Sequence, residues 1–124
     1  MKKFFTVAAM AMAVTIGTAH AEGDAAAGEK VFKKCKACHK VEEGQKSPVG
    51  PNLHGLFGRA AGTGDFARYS KAMKDSGIVW NDETIAAYLR DPKGYIPKNK
   101  MAFAGLKKDK DVENIIAYLK EATK

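Results

Sequence analysis

Cysteine is scarce in this chain: 124 residues hold two, Cys35 and Cys38. A framework of several disulfides is therefore excluded, and a single bridge across two intervening residues belongs to redox-active rather than structural pairs. Histidine is hardly more abundant, with His20, His39 and His54, so a closed four-ligand zinc site is hard to assemble. Runs with the look of buried strands are missing, which removes the strands and crossover helices that a thioredoxin-like site requires. Long hydrophobic runs are missing as well, apart from one near the start of the chain. Acidic residues are the minority charge, 14 against 21 Lys and Arg, for a formal net charge of +7. That excess suits acidic partner surfaces. Zinc-finger spacing and interleaved basic and aromatic motifs are absent, so nucleic acid is not an expected partner.

The one apolar run extends from Phe4 to Ala19, follows Lys2 and Lys3, and closes on the small-residue box Ala19, His20, Ala21. It is shorter than the roughly 20 residues that span a bilayer, and the polar Glu22, Gly23 and Asp24 behind it are no stop-transfer signal. This is the layout of a secretory signal peptide, with cleavage expected after Ala21. Residues 1–21 are thus read as a leader and 22–124 as one modest domain. Losing Lys2 and Lys3 lowers the positive excess by two.

What the sequence does contain is the run Cys35, Lys36, Ala37, Cys38, His39. C-x-x-C-H is the haem attachment signature. Two thiols on one turn of chain can form thioethers to the two vinyl groups on one porphyrin edge, and the adjoining imidazole then lies over the iron as its fifth ligand. A soft, neutral methionine as sixth ligand favours the reduced state and raises the potential. Three of the five methionines, Met1, Met10 and Met12, leave with the leader. Met73 falls in an expected short helix, Ser70 to Ser76, where methionine is commonly core filler. Met101 follows Tyr95, Ile96, Pro97, Lys98, Asn99 and Lys100 in a loop between helices, with no apolar stripe to join, and is favoured. His54 remains the rival.

Helical signals dominate the rest. Asp24 can cap a helix over 25–34, with Gly28, Val31, Phe32 and Cys35 at helical spacing. Asn81 can cap a second from Asp82 to Arg90, with Ile85, Tyr88 and Leu89 on one face and Pro92 as its stop. A third covers 110–122, opened by Asp109 or Asp111, with a stripe of Val112, Ile115, Ile116 and Leu119 and with Tyr118 at its edge. Between Lys40 and Tyr69 lie six glycines and little periodicity. Unstructured stretches that long are uncommon unless they wrap a function. A haem supplies the apolar body on which such loops can pack, so the chain without haem is expected to be poorly folded.

With these residues in view the sequence closely resembles the small soluble class I cytochromes c, in the bacterial branch that serves photosynthetic or respiratory chains. The attachment motif carries the likeness, together with the run from Gly50 to Arg59, the segment from Tyr95 to Gly105, and Ile116, Ala117, Tyr118, Leu119. The resemblance implies an all-α class I cytochrome c fold: about three main helices, a short one, and long loops around one covalent haem. It implies that His39 and Met101 are the axial pair and that the Pro51 carbonyl accepts the other N–H of His39. Arg59, Tyr69 and Trp80 resemble the partners of the buried haem propionate, and Tyr88 the tyrosine that hydrogen-bonds the methionine sulfur. Gly28 and Phe32 are expected to pack on Ile115 and Tyr118. Met73 stands where relatives often carry a polar residue near an internal water, and the stretch from Gly64 to Arg68 aligns poorly.

The implied function is electron carriage in the periplasm. A membrane cytochrome bc-type complex is the expected donor, a photosynthetic reaction centre or a terminal oxidase or reductase the expected acceptor, and a monomer the expected state. Lys33, Lys34, Lys36, Lys40, Lys98, Lys100, Lys107 and Lys108 are expected to ring the haem edge and dock those partners. The competing class is a haem enzyme or gas sensor with a displaceable sixth ligand, for which His54 is the single distal candidate.

Overall fold

Asp24 opens the first helix, α1 (Ala25–Phe32), by accepting hydrogen bonds from the main-chain N–H groups of Ala26 and Ala27, which satisfies donors that the first turn leaves free. The structure is a computed structural model that describes residues 23–124. The expected leader, 1–21, lies outside the described residues. Four further helices follow: α2 (Lys71–Asp75), α3 (Asp82–Arg90), α4 (Pro92–Tyr95) and α5 (Asp109–Ala122). Among the described residues no helix is long and apolar enough to cross a membrane. The one β-type contact among the described residues is an isolated antiparallel bridge between Ala60 and Val79.

α1 stops two residues before its expected end. Beyond Phe32 the chain tightens into i→i+3 bonds, Lys34 N–H to Val31 O and Cys35 N–H to Phe32 O, the latter at 2.8 Å. This narrower turn is common at helix ends. α3 has the expected bounds, because Asn81 and Thr84 form a reciprocal capping box. Pro92 stops α3 as expected and also opens α4, which the sequence reading did not foresee. Its missing N–H costs nothing at a first helical position. Asp91 serves both helices, ending α3 and accepting from Gly94 N–H at 3.0 Å. Asp109 and Asp111 lie in the first turn of α5, and its N-cap, Lys108, offers no side-chain bond.

The core forms where α5 crosses α1 and α3. Phe32, Val112, Ile115 and Leu119 are buried at that seam, and Leu56, Trp80, Ile85, Tyr88, Ile96 and Leu106 continue it toward the loops. Gly28 allows the close crossing: a Cβ there would stand 1.9 Å from the Asn114 carbonyl oxygen and 2.8 Å from Tyr118 Cβ. The Phe32 and Tyr118 rings meet at 5.2 Å. Asn114, a polar residue inside the apolar stripe, is buried because its side-chain oxygen accepts from Asp24 N–H at 2.9 Å. The long loop is pinned at spaced points, Gly55 N–H to Thr123 O just past the end of α5 and residues 58–61 against 78–80.

Candidate haem site

The turn after α1 brings Cys35, Cys38 and His39 onto the wall of one cavity of about 260 Å³. His39 N–H and Cys38 N–H both donate to the Cys35 carbonyl, at 2.9 and 3.1 Å, so the motif is wound into a single turn. Burial, reinforced by the neighbouring Cys38 and opposed by Lys34, pushes the Cys35 thiol up to about 11. The sulfur is thereby kept as a neutral thiol before it forms any bond.

His39 is held by the next loop. Its Nδ1 lies 2.8 Å from the Pro51 carbonyl oxygen, and because a carbonyl only accepts, Nδ1 carries the proton. Nε2 is left with its lone pair for a metal. Burial lowers the imidazole pKa and the Pro51 bond works in the opposite direction. Gly50 permits the approach, since a Cβ there would stand 2.9 Å from the ring's Cε1 and 2.8 Å from the Cys38 carbonyl oxygen.

Met73 and Met101 both reach the same cavity wall, so proximity alone does not separate them. Hydrogen bonding does: the Tyr88 hydroxyl donates to the Met101 sulfur at 3.8 Å. Tyr88 comes from α3 and is buried against Trp80, with ring centroids 5.2 Å apart. Burial raises its pKa to about 12, so the hydroxyl keeps its proton throughout the neutral range. Met73 forms apolar wall, with its N–H capped by Ser70 Oγ at 3.0 Å. His54 is not among the residues lining the cavity. Its carbonyl accepts from Arg59 and its N–H donates to Asn52.

Arg59, Tyr69 and Trp80 also line the cavity. Arg59 donates to the His54 and Asn52 carbonyls at 3.1 and 3.2 Å, which fixes the guanidinium and leaves further N–H groups for an anion. A Cβ on Gly64 would stand 2.6 Å from the Tyr69 hydroxyl and 3.3 Å from the Arg59 Cζ, so these two donors converge over Gly64. Phe66 meets Tyr69 edge to face at 5.1 Å. The segment that aligned poorly in the sequence thus closes this end of the cavity, with Phe66 and Arg68 on the wall.

The sequence reading missed Asn99. This residue is 4% exposed, and its amide bonds to three main-chain groups around Met101 and α4. A lone Asn between two lysines carried no periodic signal.

The donor set fits a haem better than the alternatives. Two thiols, one imidazole and two thioethers share a mainly apolar cavity, with an arginine and a tyrosine placed to meet a carboxylate. Among the described residues no group of three or more His, Cys, Asp or Glu side chains is gathered for a metal ion.

Comparison with known proteins leads to the same chemistry. The family model described as cytochrome c matches residues 25–123. The cytochrome c2 of Afifella marina is 53% identical over 98 residues, covering 77% of this chain and 79% of its own. That of Blastochloris viridis is 49% identical over 110 residues, covering 89% and 86%. Among solved structures, cytochrome cH from Methylobacterium extorquens matches with a TM-score of 0.74 and 49% identity, over 80% of this chain and 99% of its own.

Proposed function

We propose that this chain, which belongs to the cytochrome c family and is an electron-transfer protein with covalent haem c rather than an enzyme, works as an exported carrier that moves single electrons between membrane redox complexes. Haem c supplies a one-electron iron couple when bound. Cys35 and Cys38 would hold the group through thioether bonds, and His39 Nε2 and Met101 Sδ would ligate its iron. One observation carries this assignment: a single cavity has both thiols, the His39 ring and the Met101 side chain on its walls, and the methionine sulfur accepts from Tyr88.

The remaining residues tune that couple. Pro51 fixes the tautomer and orientation of His39 and strengthens its donation. Tyr88 draws electron density from the Met101 sulfur. Arg59, Tyr69 and Trp80 are assigned to a buried propionate, which would cost several kcal/mol without donors of this kind. With His39 and Met101 both holding the iron, no place would be left for a substrate at the metal, and the group would supply one-electron transfer without making or breaking bonds.

Residues 1–21 act as the cleaved leader and 22–124 as the mature domain, a periplasmic monomer. A membrane cytochrome bc-type complex is the donor, and a photosynthetic reaction centre or a terminal oxidase or reductase the acceptor. Lys33, Lys34, Lys36, Lys40, Lys98, Lys100, Lys107 and Lys108 are all exposed, and Lys34 and Lys100 lie at the cavity wall. This ring of charge docks acidic partner surfaces.

Three measurements test the proposal. The oxidised holoprotein is expected to show a weak far-red sulfur-to-iron band that disappears in Met101→Ala. Free binding of carbon monoxide to the reduced protein at neutral pH would instead mark a displaceable sixth ligand and a sensor or enzyme. In reconstituted turnover with membrane complexes, transfer rates are expected to fall as ionic strength rises, because screening weakens steering between opposite charges. A rate indifferent to salt would remove the docking role of the lysines.

A further inference from the structure

The segment bearing Met101 starts from an unusual corner. Asn99 N–H donates to the Ile96 carbonyl at 3.2 Å, closing a turn over 96–99 in which Pro97 is second and Lys98 third. Lys98 has φ 68°, and it is the one non-glycine residue with positive φ among the described residues. Proline followed by a positive-φ residue is the type II pattern, whose third position favours glycine. A lysine there is held against its own preference, so something must hold it.

Asn99 is placed to do so. Its Nδ2 donates to the Pro92 carbonyl at 2.7 Å and to the Ile96 carbonyl at 2.9 Å, at the first residue of α4 and at its C-cap. Its Oδ1 accepts from Met101 N–H at 2.9 Å. The Lys93 ammonium donates to the Asn99 main-chain carbonyl and, at 3.3 Å, to Oδ1. One buried amide therefore ties both ends of α4 to the backbone of Met101. Among the described residues, the side chain of Met101 has only the Tyr88 hydroxyl as a polar tether.

We propose that Asn99 is the positioning residue for the sixth ligand: its amide latches the 96–101 segment so that the Met101 sulfur stays on the metal. The inference rests on the assignment of Met101 above. Breaking the latch raises the fraction of time the segment is open, a local opening distinct from global unfolding. During such an opening an external ligand can replace the sulfur, with no change of oxidation state.

Cyanide capture by the oxidised holoprotein reads this opening directly. Asn99→Ala, which removes four side-chain bonds, two of them buried, is expected to accelerate capture by about tenfold to hundredfold. Asn99→Ser keeps a short acceptor for Met101 N–H but does not reach the α4 carbonyls, so it accelerates capture less. Val112→Ala, at the α1–α5 seam and away from the cavity lining, lowers the unfolding midpoint and leaves the capture rate unchanged. Equal capture by Asn99→Ala, Asn99→Ser and wild type would overturn the proposal, as would equal acceleration by Val112→Ala. An oxidised wild type without the far-red band, capturing cyanide as fast as Met101→Ala, would overturn the Met101 assignment and the latch with it. A wild type with the band and slow capture, but indifferent to Asn99, would overturn the latch alone.

Discussion

The hydroxyl of Tyr88 stands 3.8 Å from the Met101 sulfur. On the proposed ligation, this O–H donor would draw density from the thioether and weaken its support of the oxidised metal. Tyr88→Phe keeps the ring against Trp80 and removes only that bond. Its reduction potential is expected to fall by about 20–60 mV, the equivalent of one modest hydrogen bond in a one-electron couple, as measured by spectroelectrochemical titration. An unchanged potential would show that the hydroxyl plays no part in tuning. Residue identities of this kind were legible in the sequence where a motif fixed them, as with Cys35, Cys38 and His39. The partners Pro51 and Tyr88 carry no local signal and were expected from the family resemblance alone, because they reach His39 and Met101 through space, 12 and 13 residues away along the chain.

At the scale of elements, caps made the helices readable. Asp24, Ser70 and Asn81 each accept from the first turn that follows them, and the bounds expected for α3 were found. α4 escaped notice because a helix of four residues has no periodicity, and its Pro92 read as an ending alone. The α1–α5 crossing sets the frame for the cavity, since Phe32, Ile115 and Leu119 belong both to that seam and to the cavity wall. Gly28→Ala must push the helices apart, because its Cβ would fall 1.9 Å from the Asn114 carbonyl oxygen, an atom of the backbone that cannot rotate away. A loss of about 3 kcal/mol is expected in denaturant unfolding of the holoprotein. Stability equal to wild type would mean that the crossing has slack.

The whole molecule has too little conventional core for its loops. From Lys40 to Tyr69 no helix forms, and residues such as Pro51, Leu53, Arg59 and Phe66 turn instead toward the cavity. The cofactor would be their packing partner, so folding and haem attachment are expected to be coupled, as ligand binding to a folded state generally stabilises it. A Cys35→Ala, Cys38→Ala chain made without haem is expected to show weak helical circular dichroism and no cooperative thermal transition. A sharp transition with native-like helix content would show that the protein matrix folds alone.

The sequence by itself determined the cofactor and its attachment, because five consecutive residues suffice to encode a local covalent geometry, and it determined the helices whose caps and stripes are local as well. Tertiary structure decided what depends on distance in space. It set the Tyr88 hydroxyl at the Met101 sulfur, made Arg59 and Tyr69 converge over Gly64, kept His54 off the cavity wall, and buried Asn99 within the segment that leads to Met101. These contacts join loops that no periodic pattern relates, and only the packing of the folded chain brings them together.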